Sequence, residues 1–318
     1  MIEEEVINLS KKLHFNSVKA IPLKKEASGR EYWRIFNELE NTVVLCYLDP
    51  AIGNHSNFVN ISKELINNSI FGVNVIYHDS EVGITLQEDL GDHDLISIFN
   101  LSNKNELLKK SLKLLAELQE SKINNLEKFS KDELINQMAL FQDIFCKKFL
   151  KIKSDNSIND LISVTIDMLY EHPWVNCHFD FERRNLFLNT NKEIIIIDYQ
   201  DMKKGPIGID LAGILVDHYY DVDLSEIEKL LSFYSMHTIS KYSKKELFEF
   251  LRWGCIQRNL RILGTLSNLY LTEKRSFRLK DLPLILKNLI SMIPKDHLSK
   301  KFIESEVEPL LVKRIEHI

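Results

Sequence analysis

The segment 177–201 restricts the fold of this 318-residue chain more than any other. It opens with the polar loop Cys177-His178-Phe179-Asp180-Phe181-Glu182-Arg183-Arg184-Asn185, runs into Leu186-Phe187-Leu188, and returns through Ile194-Ile195-Ile196-Ile197 to Asp198-Tyr199-Gln200-Asp201. Both apolar runs are strand-length, and helical periodicity resumes on either side. The segment therefore reads as a short β-hairpin, 186–188 against 194–197, set into a mainly helical region. A hairpin carries the chain back to where it started. Asp198, at the end of the second arm, is thereby returned toward Asp180 and Asn185, which lie five residues apart before the first arm.

The rest of the chain divides around a polar interruption. A helix is expected at 2–13, strands at 17–24, 32–37 and 42–48, a helix at 55–68 with Phe58, Ile61, Leu65 and Ile66 at helical spacing, and two more apolar runs at 73–77 and 83–88. Glu88-Asp89-Leu90-Gly91-Asp92 then breaks the pattern. Beyond it, helices are expected at 94–101, 104–120, 131–151, 157–171, 207–217, 224–237 and 244–270, and in pieces to the end. The expected class is α+β, with a small β-rich lobe over 1–90 and a large, mainly helical lobe over 91–318. A length of 318 residues suits two such coupled lobes. Lobes joined at one hinge leave a cleft, where ligands usually bind.

The hairpin residues suggest a chemistry. A carboxylate from Asp198 and an amide oxygen from Asn185 can converge on one Mg²⁺, which prefers hard oxygen ligands and keeps some of its waters. Such a metal would neutralise the phosphates of ATP. Asp180 is then left to orient a substrate hydroxyl and accept its proton, and phosphoryl transfer needs little beyond positioning and charge stabilisation. His-x-Asp, four residues, Asn, an apolar strand pair and Asp is the order of a kinase catalytic loop. The competing reading, an ordinary hairpin with solvated acids at its ends, requires three residues to fall into that order by accident.

On these residues the chain resembles the aminoglycoside phosphotransferase and choline kinase superfamily, whose fold is protein-kinase-like. Lys204-Gly205-Pro206-Ile207-Gly208-Ile209-Asp210-Leu211-Ala212 strengthens the resemblance, since that superfamily follows its metal aspartate with a Gly-Pro turn and an Asp-Leu-Ala helix start. Gly205-Pro206 is expected to form a turn. Asp210 is expected early in the next helix, bonded to the catalytic loop in a structural role. A narrower resemblance covers nearly the whole chain. It is to the bacterial anomeric amino-sugar kinases, which phosphorylate N-acetylmuramate and N-acetylglucosamine at carbon 1 in cell-wall recycling. It rests on the 27–34 turn, on the 87–92 hinge, on Asp198-Tyr199-Gln200-Asp201 with Gly205-Pro206, and on the segment 256–264 followed by Asp281-Leu282-Pro283.

The resemblance implies that ATP meets the 1–90 lobe. The 27–34 turn would bring Ser28, Arg30 and Arg34 to the nucleotide, and the hinge would offer the backbone of Glu88 and Leu90 to adenine. The third strand, Val43-Val44-Leu45-Cys46-Tyr47-Leu48-Asp49, lacks the lysine that protein kinases place there. Something cationic must still meet the phosphates. Lys24, Lys25, Arg30 and Arg34 are the candidates, with Arg30 or Arg34 preferred. Glu64 could stand where kinases carry a helix glutamate, with no strand lysine to pair with. Around the base, His178 is expected to brace the loop, and Phe179 stands where the superfamily commonly shows Gly or Arg. Arg183, Gln200 and Asp217 are candidate substrate contacts. Gln257 and Arg258 serve either the core or the substrate.

Composition narrows the partners. A net charge of −5 gives no global reason to bind nucleic acid or an anionic membrane. No apolar run approaches the roughly 20 residues that span a bilayer. The acidic start lacks the plan of a signal peptide, and Cys46, Cys146, Cys177 and Cys255 form no CxxC pair, so a cytoplasmic protein is expected. Oligomeric state is left open. Two rival functions remain. The same chemistry on an aminoglycoside or choline would call for an acidic patch beside Asp180. A catalytically inactive nucleotide-binding module would draw on the missing lysine and the atypical Phe179.

Overall fold

Alternate residues of the amino-terminal strands are apolar, and the fold turns that alternation into one buried sheet face. The computed structural model describes residues 1–13, 15–23, 29–153, 155–219 and 223–316. Strands β1 (Ser17–Pro22), β2 (Glu31–Asn37), β3 (Thr42–Tyr47), β4 (Val75–Asp79) and β5 (Ile84–Glu88) form an antiparallel sheet in the order β1-β2-β3-β5-β4. The register sets Trp33 opposite Leu45 and Leu45 opposite Leu86. These three, with Ala20, Ile35 and Ile84, share a core with Val6 of α1 (Glu3–Lys12) and with Leu13. Helix α2 (Ser56–Asn67) buries Phe58, Ile61 and Leu65 as its spacing requires, whereas Ile66 is exposed.

The chain separates into two compact units. The first comprises Met1–Phe99, Lys122–Asn124 and Arg183–Asp201; the second comprises Asn100–Ser121, Asn125–Glu182 and Met202–Ile318. The first therefore includes the hairpin of β7 (Leu186–Leu188) and β8 (Ile194–Ile196) as well as the sheet. The apolar run at 73–77 begins its strand two residues later than expected. The reason is that residues 71–73 are engaged by β8: Ile196 donates its N–H to Phe71 O, and Val73 donates its own to Ile196 O. The helix expected at 94–101 is a single turn, α3 (Leu95–Ile98). Asp94 caps it, and the Asn100 side chain accepts from the N–H of Ser102 and folds the following residues into an Asx turn.

The second unit is built from α4 (Lys104–Glu120), α5 (Lys131–Leu140), α6 (Asn156–Glu171), α7 (Gly208–Leu215), α8 (Leu224–His237), α9 (Lys244–Glu273), α10 (Leu282–Met292), α11 (Leu298–Phe302) and α12 (Glu308–Ile315). The single helix expected at 131–151 continues past α5 as a π-helix, Phe141–Leu150, and stops at Lys151, which is left-handed at φ 61°. Capping boxes Ser130/Glu133 and Ser243/Glu246 start α5 and α9. Every residue from Trp253 to Leu260 on α9 is buried, so this helix is the axis of the unit. Among the described residues, no helix is long and apolar enough to cross a membrane.

One expectation fails here. Gly205-Pro206 is not a turn; it ends a strand, β9 (Lys203–Pro206), antiparallel to β6 (Trp174–Cys177), with Val175 opposite Gly205 and Trp174 opposite Pro206. Proline is tolerated because it occupies the last position of a two-stranded pair. Glycine leaves room for the Phe179 ring, since a Cβ at 205 would come 2.7 Å from Phe179 Cζ.

Helices α7 and α9 cross backbone to backbone. A Cβ on Gly254 would fall against the carbonyl oxygen of Gly208, and a Cβ on Gly208 against that of Phe250. The helix interior would otherwise favour alanine at 254 by about 1 kcal/mol. Overpacking against an unyielding backbone costs about 1–3 kcal/mol or more, so the clash wins. Gly254→Ala is expected to lower the urea midpoint. A midpoint equal to or above that of the wild type would show that the helices do not cross at these glycines.

Candidate active site

The catalytic-loop pattern begins where β6 ends, and a buried carboxylate shapes it. Asp210 is the third residue of α7, and both of its oxygens are used: Oδ2 accepts from the N–H of His178 at 2.7 Å and Oδ1 from the N–H of Phe179 at 2.8 Å. Asp210 is fully buried; burial raises its pKa, against the charge of His178 and these two N–H donors. Two successive N–H groups aimed at one carboxylate turn the chain sharply, and Phe179 takes φ +68°. Glycine suits such a position and phenylalanine is strained in it. Phe179 is held there by packing, its ring 4.3 Å from that of Phe129 and lying over Gly205. His178 is buried, with its ring 6.1 Å from that of Phe181.

Asp180 follows, its side chain 35% exposed. Arg261 of α9 donates through one nitrogen, Nη2, to Asp180 Oδ1 at 2.9 Å and to Phe179 O at 3.2 Å. Burial pushes the Asp180 carboxyl up, but the charges of Arg261 and Arg258 outweigh it, and its pKa lies below the ordinary aspartate value. Asp180 is therefore ionised at neutral pH. Three residues before Arg261, and so on the same helix face, Arg258 forms a buried ion pair with Glu182. Tyr219 also donates its hydroxyl to Glu182, at 3.3 Å, and the Arg278 guanidinium lies 5.4 Å from the Tyr219 ring centre while bonding Asp281 at 2.7 Å. Gln257 donates to Gln137 at 2.9 Å, a core contact. Arg261 and Glu182 were not singled out in the sequence; the available signal was the i, i+3 spacing of two arginines on an otherwise buried helix.

Asn185 and Asp198 belong to the first unit, on the two arms of the hairpin. Asn185 ends a 3₁₀ turn, Arg183–Asn185, and its carbonyl accepts from the N–H of Ile197 at 3.0 Å, so the backbones flanking the two candidate ligands are bonded. Asp198 is left-handed at φ +62°. Its neighbour Tyr199 anchors the strand end, stacked on Phe58 at 4.7 Å and donating to Val73 O at 2.8 Å. Gln200 Nε2 donates to Asp198 Oδ1 at 2.7 Å, and Oδ2 has no hydrogen-bond partner among the described residues. One carboxylate and one amide, oriented through backbone and glutamine, are hard oxygen donors of the kind Mg²⁺ takes when phosphates and water complete its shell. The residues present fit that ion.

The nucleotide candidates separate. Arg34 is engaged by Asp89 at 2.7 Å and by Asp92 at 3.0 Å. Arg30 has no hydrogen bond or ion pair among the described residues, and its charge acts on Tyr32 and Cys46, a cross-strand pair; burial pushes the Cys46 thiol up to about 12 against that pull. Ser28, Lys24 and Lys25 lie outside the described residues. Glu88 closes β5, its N–H bonded to Asn74 O, while the Leu90 N–H and C=O have no partner among the described residues. Glu64 meets Asn124 at 3.3 Å rather than a lysine. Of the substrate candidates, Gln200 lies against Asp198. Arg183 is 1% exposed and stacked 4.0 Å over Phe99. Asp217 is also buried; its carbonyl accepts from Asn288 and its Oδ1 from the N–H of Tyr219.

The strain at Phe179 is measurable. Truncating a buried phenylalanine costs about 3–5 kcal/mol, and glycine recovers about 1–2 kcal/mol in a left-handed position. Phe179→Gly is expected to unfold at lower urea than the wild type but at higher urea than Phe179→Ala, reversing the usual order of the two residues. An alanine variant at least as stable as the glycine variant would contradict the left-handed assignment.

The model of the APH phosphotransferase enzyme family matches residues 70–243. The N-acetylmuramate/N-acetylglucosamine kinase of Neisseria meningitidis serogroup B is 26% identical over 230 residues, covering 68% of each chain. Among solved structures, the choline kinase LicA from Streptococcus pneumoniae superimposes with a TM-score of 0.65 at 15% identity, over 91% of this chain and 99% of that one. Spectinomycin phosphotransferase APH(9)-Ia, solved with ADP and spectinomycin, gives 0.62 at 14% identity over 100% and 99%. The fold is the protein-kinase-like fold of these enzymes. The chain belongs to the APH phosphotransferase enzyme family and is an ATP-dependent phosphotransferase acting on an alcohol group.

Proposed function

We propose that the chain transfers the terminal phosphoryl group of ATP to the anomeric hydroxyl of an amino sugar of the N-acetylglucosamine and N-acetylmuramate class, in the cytoplasm and in the service of cell-wall recycling. The observation that carries the choice of acceptor is the charge pairing in the second unit. Asp180 is paired with Arg261, Glu182 with Arg258 and Asp281 with Arg278. Aminoglycosides carry several ammonium groups and call for uncompensated carboxylates around the base, and choline calls for those or for a cage of aromatic faces. A neutral or anionic sugar does not, and the 26%-identical relative acts on such sugars.

In this reading Asp180 orients the acceptor hydroxyl and takes its proton at a carboxylate oxygen. A low pKa is no obstacle, because in a loose transition state the proton leaves late and positioning dominates. Asn185 and Asp198 would hold Mg²⁺, and Gln200 fixes the Asp198 carboxylate through Oδ1. The metal, when bound, neutralises phosphate charge. Arg30 stands in for the missing strand lysine at the phosphates, and Ser28 is kept as a nucleotide contact, while Arg34 ties β2 to Asp89 and Asp92. The backbone of Glu88 and Leu90 receives adenine.

The test is ADP release from ATP and Mg²⁺ with N-acetylglucosamine, N-acetylmuramate, choline and a set of aminoglycosides. Turnover is expected with the amino sugars and is expected to fall about 10²–10⁴-fold in Asp180→Asn, the range for loss of a general base. Turnover confined to choline or aminoglycosides would move the acceptor to a cationic alcohol, and an undiminished Asp180→Asn would remove Asp180 from the chemistry.

A further inference from the structure

We infer that Arg261 is a positioning residue for the phosphoryl transfer: it fixes the carboxylate of Asp180 in the orientation the acceptor hydroxyl meets. The inference rests on the reading of Asp180 as the base. Its ground is that a single guanidinium nitrogen holds both the peptide oxygen of Phe179 and Oδ1 of Asp180, at 3.2 and 2.9 Å. A carboxylate on a flexible loop rotates about two side-chain bonds. Tying its oxygen to the same donor as the preceding carbonyl removes that rotation and locks the side chain to the backbone turn set by Asp210.

The two arginines of α9 differ in kind. Arg258 is 1% exposed and satisfies the buried Glu182. That is a structural pair, whose loss would strand a buried charge. Arg261 keeps 18% exposure, and its partner is the base itself, 35% exposed. Arg261 is therefore placed where the acceptor arrives and Arg258 is not. The reach of Arg261 is fixed from below by the glycine crossing of α7 and α9, seven residues earlier on the same helix. Other charged groups around the base are Glu182 beside it in the loop, Arg258 on α9, and Asp210 on α7, which acts through His178 and Phe179.

The linkage has a definite sign. The arginines hold the pKa of Asp180 below its ordinary value, so activity that needs the ionised base is lost only as pH falls through that depressed value. Removing Arg261 raises the pKa, and the acid limb of the kcat profile must move to higher pH.

The experiment compares wild type, Arg261→Met and Arg261→Lys as full chains, using whichever alcohol of the panel the wild type turns over. Arg261→Met is expected to lower kcat about 10–100-fold, with KM for ATP and alcohol within about threefold and the acid limb shifted upward. Arg261→Lys, which keeps the charge but on a shorter arm with a freely rotating head, is expected to restore the acid limb and only part of kcat. A purely structural arginine would change the urea midpoint and leave the pH profile in place. That result, or a KM effect with unchanged kcat, overturns the inference. If the wild type turns over nothing in the panel, the proposed function has failed separately. The pair is then read by a double-mutant cycle of Arg261→Met with Asp180→Asn in urea. Coupling that disappears in acid supports the inference, and zero coupling overturns it.

Discussion

The carboxylate of Asp210 is the constraint on which the catalytic loop depends. It sits in the first turn of α7, where the helix favours negative charge, and it accepts the N–H groups of His178 and Phe179. Those two bonds set a turn that places Asp180 next in line. The position of α7 depends in turn on its contact with α9, which Gly208 and Gly254 permit at backbone distance. From that crossing α9 runs on to deliver Arg258 to Glu182 and Arg261 to Asp180. A chain of short, directional contacts thus links a packing requirement between two helices to the orientation of one carboxylate.

The first unit applies the same economy to its own carboxylate. Asp198 adopts a left-handed backbone, and Tyr199, stacked on Phe58 and bonded to Val73, holds the chain there. The hairpin is joined to residues 71–73 by two backbone bonds through Ile196. Arg34 joins β2 to Asp89 and Asp92, just past β5. Its charge is compensated there, whereas Arg30 has no such partner among the described residues. In the second unit left-handed Phe179 precedes Asp180, in the first Asp198 is itself left-handed, and aromatic packing adjoins both positions.

Much of this was legible because it is local. The hairpin follows from two apolar runs separated by polar residues. The starts of α5 and α9 follow from Ser-x-x-Glu. The role of Asp210 follows from its place just inside a helix that trails a kinase-like loop. What was not legible depends on partners distant in sequence. Gly205-Pro206 has the composition of a turn, yet β6, about 30 residues earlier, makes it a strand. Nothing local to Arg34 or Arg183 shows that Asp89 and Phe99 lie against them. The burial of Asp217 is likewise invisible in its neighbours. Arg261 was visible only as one arginine among several, since nothing local says that its guanidinium lies 81 residues from its partner in sequence and 2.9 Å from it in space.

The central claim is that Asp180 directs an anomeric hydroxyl to ATP. Phosphorus NMR of the reaction mixture tests it most directly, because the coupling pattern reports which carbon carries the new phosphate. With N-acetylglucosamine, ATP and Mg²⁺, the account predicts a phosphomonoester resonance correlated with the sugar's anomeric proton. A phosphate correlated with any other sugar proton, or the appearance of inorganic phosphate alone, would contradict it.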